Sequence, residues 1–337
     1  MPFKICTVGC GSMATAAHGP AYARYAATHP DTELAACCDL EAARAVAFRD
    51  RFGFARYYTD LDAMLEAEQP HAVCLVVPVE ATCDLACRIL ERGYPLLMEK
   101  PPGLTVAETD RMIAAADAGS APNQVAFNRR HTPLLVHLKR LLAESFSPES
   151  IQHIRYEMTR MGRADPDFST TAVHGVDTVR FLAGSDYEQI EFHYQDLPRF
   201  GPTVANIFLD ATFVSGATAH LSFCPVAGDV VERASVYTEG NTFYLYLPIP
   251  GSLDIPGRLE RIEKNVRVLD IAGEIASEGG FPFEANGFYA ENTAFFDAIR
   301  NGARPEGDLR SARQSVEVMQ CIRERRRECL LSPSADE

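Results

Sequence analysis

No stretch of the 337 residues stays apolar for the roughly 20 positions that a bilayer-spanning helix needs, so no membrane segment is expected. Cationic charge is scarce as well. Against 46 Asp and Glu there are only 32 Lys and Arg, a net charge of −14, and a chain without a basic face has nothing to track a phosphate backbone with. Nucleic acid is thereby excluded as a partner. The most basic run, Arg323 to Arg327, closes a helical pattern, where cations complement the negative helix end. The ten cysteines include no C-x-x-C pair, so neither a zinc knuckle nor a redox dithiol is indicated, and no metal is expected. Cys6, Cys37 and Cys74 fall in apolar runs, and Cys83 and Cys87 lie four apart on an expected helix. All read as small buried residues of a reducing, cytoplasmic setting. No leader peptide is expected ahead of Phe3, where the first apolar run begins. Internal repeats and low-complexity tracts are missing too.

What is present is organised around Lys4 to Ala14. Phe3 to Val8 is a short apolar run suited to a strand buried on both faces, and it stops at Gly9-Cys10-Gly11-Ser12-Met13-Ala14. A helical pattern from Met13 to Thr28 follows. Strand, G-x-G-x-x-A and helix together form the arrangement a dinucleotide pyrophosphate needs. One Gly serves the tight turn, one allows close approach of the phosphates, and a small residue lets helix and strand pack. The phosphates would meet free N–H groups at the positive end of the helix. Strands and helices then alternate to Phe127, which predicts a doubly wound parallel sheet in an α/β domain over residues 1–127.

From about residue 128 the pattern changes. After a helix at Pro133 to Glu144, segments of period two appear: Ile154, Tyr156 and Met158, then Ile190, Phe192 and Tyr194, each alternating with polar neighbours. Ser215-Gly216 and Glu239-Gly240-Asn241 each separate two such segments, as hairpin turns do. Residues 128–331 are therefore expected to form a second, α+β domain with an open, mostly antiparallel sheet and a helix at Thr171 to Ala183. Two closing helices are expected, from Ala285 to Arg300 and from Leu309 to Arg327, and a flexible tail at 332–337. A sheet with one face covered by helices leaves its other face in need of a partner, so a homodimer or homotetramer is expected, with Ile207, Leu209, Leu221 and Phe223 as apolar candidates.

Ligands of doubly wound sheets bind beyond the carboxyl ends of the strands. Asp39 ends the second strand, where a carboxylate can accept both adenosine ribose hydroxyls and repels a 2′-phosphate. It could also simply cap the helix that starts near Glu41. Leu40 and Glu41 follow it, so no Ser-Arg pair stands ready for that phosphate, and NAD is preferred over NADP. Glu99-Lys100-Pro101 lies at the end of the Leu96-Leu97-Met98 run, on the same edge. Partial burial beside a cofactor would lower the lysine's pKa and suit it to bind a substrate hydroxyl or shuttle a proton. His174 and Asp177, three apart on an expected helix, share a face; Ser169, Thr170 and Thr171 can cap its start. An imidazole there can take an alcohol's proton, and Asp177 could orient the ring.

Taken in order, Val8 to Ala14, Glu99-Lys100-Pro101, His174-Gly175-Val176-Asp177 and Gly287-Phe288-Tyr289-Ala290-Glu291-Asn292 resemble the glucose-fructose oxidoreductase / inositol dehydrogenase / MocA (Gfo/Idh/MocA) family over nearly the whole chain. The resemblance implies an N-terminal Rossmann domain, a C-terminal sheet often used for oligomerisation, and an NAD(P)-dependent dehydrogenase. Its substrate would be a secondary alcohol of a sugar, polyol or related small cyclic compound. It implies Lys100 and His174 as the active-site pair, often with a cis bond before Pro101. The cofactor-binding set is then Gly9, Gly11, Ser12, Met13, Ala14, Asp39, Pro78 and Glu99, and the catalytic set Lys100, His174 and Asp177. Many members carry an Asp one turn before the His, where this chain has Thr170. Asp165 or Asp167 could supply that carboxylate from the preceding loop. Thr82 stands where a His often follows the strand ended by Pro78. These departures leave room for two other readings, a nucleotide- and ligand-binding sensor without turnover and an NAD-dependent glycosidase.

Overall fold

In the computed structural model, which describes residues 2–274 and 283–331, the chain divides into two units. The first comprises Met1–Asn128 and Gly279–Arg313. Its strands are β1 (Phe3–Val8), β2 (Thr32–Cys38), β3 (Arg56–Tyr58), β4 (Ala72–Leu75), β5 (Leu96–Glu99) and β6 (Asn123–Ala126), all parallel, in the order β3-β2-β1-β4-β5-β6. Crossover helices α1 (Gly19–Thr28), α2 (Ala42–Phe52), α3 (Leu61–Glu68), α4 (Val79–Leu90) and α5 (Val106–Gly119) join them. All four residues of β4 are buried, as expected of a strand covered on both faces. The order reverses between β1 and β4, which opens a crevice at the carboxyl ends of those strands.

Local chemistry explains the helix ends. Thr105 and Glu108 form a reciprocal capping box at the start of α5: the Thr105 side chain accepts from the Glu108 amide while the Glu108 carboxylate accepts from the Thr105 amide. Gly53 ends α2 at φ 79°, a left-handed conformation that a side chain resists.

The second unit comprises Arg129–Glu278 and Gln314–Glu337. It holds α6 (Pro133–Ser145), β7 (Ile151–Thr159), α7 (Ser169–Ala183), β8 (Tyr187–Asp196), β9 (Ala205–Phe213), β10 (Thr218–Cys224), β11 (Val231–Thr238), β12 (Asn241–Tyr246), β13 (Arg258–Glu263) and β14 (Val266–Ala272). The chain ends with α8 (Phe288–Arg300) in the first unit, α9 (Leu309–Arg323), and β15 (Glu328–Leu330) in the second. Nine strands form one sheet in the order β14-β13-β12-β11-β7-β10-β9-β8-β15; only β7 and β10 pair in parallel. Ile154, Tyr156, Met158, Ile190 and Phe192 face inward with residues of α6 and α7, so the period-two alternation sorts the two faces of the sheet.

Several expectations change. Ile207, Leu209, Leu221 and Phe223 are buried in this unit's own core, and their neighbours Phe208, Asp210, His220 and Ser222 lie on the other face. Placing the four outward was a phase error of one residue, and one residue reverses the face of a strand. The hairpin β13–β14 was not foreseen, because Arg258, Glu260 and Arg261 give β13 a charged character; Lys264 and Asn265 form its turn at φ 48° and 65°. α9 stops at Arg323, short of the expected end at Arg327, and the short edge strand β15 follows at Glu328–Leu330. The boundary at Asn128 lies one residue beyond the expected one, but Gly279–Arg313 belongs to the first unit, not the second. The reason is packing: Phe295 and Phe296 of α8 join Tyr22 and Tyr25 of α1 in the first unit's core. The tail at 332–337 lies outside the described residues.

Candidate active site

In the first unit the site begins at the β1 turn. Gly9 has φ 93° and donates its N–H to the Cys38 carbonyl at 2.8 Å. A Cβ on Gly9 would lie 2.0 Å from the Val76 carbonyl oxygen, so only glycine lets the turn pass the end of β4. A Cβ on Gly11 would meet nothing within 4 Å, which leaves open space above the turn. Met13 is exposed and Ala14 fully buried. The expected helix is continuous here, but Ala14–His18 is a π-helical turn that precedes α1.

Asp39 closes on the same turn. Its Oδ2 accepts from the Cys10 amide at 2.9 Å and its Oδ1 from the Glu41 amide at 2.9 Å. The N-cap of α2 is Glu41, so Asp39 does not cap that helix itself but ties its start to the β1 turn. Pro78 is the N-cap residue of α4, and Thr82 Oγ1 donates to its carbonyl at 3.3 Å. At the end of β5 the Lys100–Pro101 bond is cis, and Lys100 is half-buried. The Glu99 carboxylate, expected to face a cofactor, accepts from His18 Nε2 at 2.8 Å through Oε1 and from the Lys100 amide at 3.0 Å through Oε2. Burial alone would push its pKa up; the hydrogen bond from His18 and the Lys100 ammonium and amide outweigh it and hold Glu99 below the ordinary carboxylate value.

In the second unit, α7 carries His174 and Asp177, 7 % and 1 % exposed. The Asp177 carboxylate accepts a bidentate pair from Arg130, at 2.7 and 2.6 Å, and a bond from Ser315 Oγ at 3.1 Å. These bonds pin α7 to Arg130 and Ser315 through Asp177. Gly175 between them is needed for packing: a Cβ there would lie 2.6 Å from both Tyr156 and Phe223. Neither Ser169, Thr170 nor Thr171 is the N-cap. That position is Phe168, and Asp167 accepts from the Ser169 amide at 2.9 Å. Thr170 Oγ1 bonds the Asp167 carbonyl at 3.3 Å, and Asp165 pairs with Arg163 at 2.7 Å.

Beside this lies a buried cluster that the sequence reading missed. Arg129 reaches Glu232 through two bonds of 2.9 Å, Arg160 reaches the same carboxylate, and Tyr156 donates to it at 2.9 Å. Desolvation raises the Glu232 pKa, but the two guanidinium charges win and draw it down to about 2. Burial and the Arg130 charge together push His131 down to about 4. Arg129 and Arg130 were visible only as a dipeptide leading into α6, and Glu232 as one charge in a strand; nothing in their spacing marks them as partners. His18 and Asn292 were also missed, although both lie within or close to segments singled out above. Among the described residues no cluster of His, Cys, Asp or Glu could hold a metal ion, and no helix is long and apolar enough to cross a membrane.

Residues 3–127 match the family model GFO_IDH_MocA, described as "Oxidoreductase family, NAD-binding Rossmann fold". Inositol 2-dehydrogenase of Salmonella typhimurium is 26% identical over 181 residues, which cover 51% of this chain and 53% of that protein. D-apiose dehydrogenase of Paraburkholderia graminis is 25% identical over 211 residues, 62% of this chain and 52% of that protein. The chain thus spans about half the length of these curated relatives. Levoglucosan dehydrogenase, solved in complex with NADH, superposes with a TM-score of 0.82 over 100% of both chains at 18% identity, a likeness of fold.

Proposed function

We propose that the chain belongs to the Gfo/Idh/MocA oxidoreductase family, whose NAD-binding Rossmann model matches residues 3–127, and that it is an NAD-dependent dehydrogenase acting on a secondary alcohol of a sugar, polyol or related small cyclic compound. The β1 turn carries this reading. Gly9 is held where no side chain fits, Gly11 faces open space, and Asp39 is tied to the same turn through the Cys10 amide. These residues fit a dinucleotide, so Gly9, Gly11, Ser12, Met13 and Ala14 would hold its pyrophosphate and Asp39 its adenosine ribose, with Pro78 and Glu99 along the same strand-end edge. Asp39, with Leu40 and Glu41 after it, favours NAD over NADP. The substrate class follows the names of the relatives, which act on inositol and apiose.

The nicotinamide, when bound, supplies the hydride acceptor. Lys100 then donates a hydrogen bond from Nζ to the reacting hydroxyl oxygen. His174 takes the hydroxyl proton at Nε2, because its Nδ1 is buried. Arg130 and Ser315, by holding Asp177, fix the helix that presents the ring. The outward face of the nine-stranded sheet, with Phe208 and His220 among its residues, is the surface we assign to self-association. A monomeric mass by light scattering at micromolar concentration would refute that assignment.

Calorimetric titration with NAD and NADP, followed by nicotinamide absorbance across a panel of sugars and polyols, tests the main reading. Tighter binding of NAD and net NADH formation are expected. His174→Ala should then lower turnover by roughly a hundredfold or more, the scale of a general base. Tight binding without NADH across the panel selects a sensor, and glycoside cleavage without net NADH selects a glycosidase. Preference for NADP would count against the role given to Asp39.

A further inference from the structure

The turn that carries Lys100 is tied to two residues that are distant in sequence. Asn292 Nδ2 lies 2.7 Å from the Phe288 carbonyl oxygen. A carbonyl oxygen only accepts, so that amide atom is the nitrogen, and it has a second hydrogen to give. It lies 3.2 Å from His18 Nδ1, which must therefore be the ring's acceptor. The ring proton then sits on Nε2 and is donated to Glu99 Oε1 at 2.8 Å. Glu99 Oε2, in turn, accepts from the Lys100 backbone amide at 3.0 Å. Donation runs from Asn292 to His18 to Glu99, and both ends close on backbone: Asn292 also donates to the Phe288 carbonyl, and the Lys100 amide donates to Glu99. The line is also dry: His18 is 1 % exposed, with its ring 5.3 Å from that of Phe288 in an edge contact, and the Glu99 side chain is 13 % exposed. The π-helical turn Ala14–His18 is what ends on this histidine, so the helix that receives the nucleotide also steadies the lysine.

We infer that Asn292, His18 and Glu99 are positioning residues for Lys100: a chain of hydrogen bonds with every proton assigned fixes the backbone from which the lysine side chain projects. This rests on the reading of Lys100 as a catalytic group. Low local dielectric strengthens each bond of such a chain and makes an unfilled position in it costly. Glutamine is the conservative replacement for His18, since its amide can accept from Asn292 and donate to Glu99. Leucine can do neither.

The test measures three quantities on the full chain carrying His18→Leu, His18→Gln, Glu99→Gln or Lys100→Met: hydrogen exchange of the Lys100 amide, NAD affinity by calorimetry, and kcat on the substrate found in the panel. A nitrogen-detected spectrum of the wild type should show the His18 proton on Nε2. His18→Leu should accelerate Lys100 amide exchange about tenfold, the equivalent of one lost hydrogen bond. It should lower kcat by between about tenfold and a hundredfold, as misplaced catalytic groups do, and leave NAD affinity within about twofold. His18→Gln should restore both exchange and kcat. If His18→Leu folds and changes neither quantity, or if His18→Gln behaves like His18→Leu, the inference is overturned. Should Lys100→Met retain turnover while the exchange rates respond as stated, the catalytic reading of Lys100 is what fails, and the positioning role falls with it.

Discussion

The six-stranded and nine-stranded sheets secure their chemistry in opposite ways. In the first unit, strands that are apolar on both faces hold polar groups only at their ends, and those groups are fixed mainly by backbone. Gly9 lies against the Val76 carbonyl, Asp39 accepts from two amides, and Glu99 accepts from a third. In the second unit the polar groups sit in the interior and are fixed by one another: Arg129 and Arg160 on Glu232, Arg130 on Asp177. A backbone-held turn such as that at Gly9 tolerates changes in its neighbours but not in its glycine. A charge-held site tolerates its backbone but not the loss of one partner, because the remainder are left buried with uncompensated charge.

Three substitutions sharpen this contrast. Glu232→Gln should have the largest effect, costing about 3–5 kcal/mol in the nine-stranded unit, because Arg129 and Arg160 lose their common carboxylate. Hydrogen exchange, read separately for β7 and β1, should show the loss in β7 alone. The pH dependence has a definite sign. Glu232 titrates lower folded than its ordinary value of 4.5, so its contribution is complete above that value and fades as pH falls toward about 2. Glu232→Gln should flatten the acid limb of unfolding in that window; a limb as steep as in the wild type would mean that other carboxylates carry it. Gly175→Ala comes second, at about 1–3 kcal/mol from overpacking against Tyr156 and Phe223. A thermal midpoint that does not move would show that α7 can shift away from the sheet. Thr105→Ala is the smallest, about 1 kcal/mol from a lost cap in the six-stranded unit. It should leave NAD affinity unaltered, whereas a backbone-held site that loosened with its helix cap would bind NAD more weakly.

The same contrast explains what could be read from sequence. The first unit was legible almost element by element, because its order along the chain is its order of construction: each strand is followed by its own helix and turn, and G-x-G-x-x-A marks the site locally. The alternation of β7 to β10 was legible as strands. Its facing was lost where Ile207 to Phe223 had to be assigned to the core or the outside, since period two says which residues agree and not which side is inward. Asp177 was found as the partner of His174 in spacing, but its charge partner Arg130 lies 47 residues earlier, and no spacing rule reaches that far. His18 escaped for a similar reason. It reads as one residue of an amphipathic helix until Glu99 and Asn292 are brought around it.

The return of Gly279–Arg313 to the first unit bears on how the protein is made. Its sheet is encoded by residue 126, yet Phe295 and Phe296, which complete its core beside Tyr22 and Tyr25, leave the ribosome much later. At about 5–20 residues per second, the roughly 180 residues between Asn128 and Arg313 take on the order of 10–40 s to synthesise. Throughout that interval the nascent Rossmann sheet lacks α8, whose Phe295 and Phe296 complete its core, while the second unit's strands are being made. Synthesis of α8, and not completion of the six parallel strands, therefore sets the moment at which the first unit's core can close.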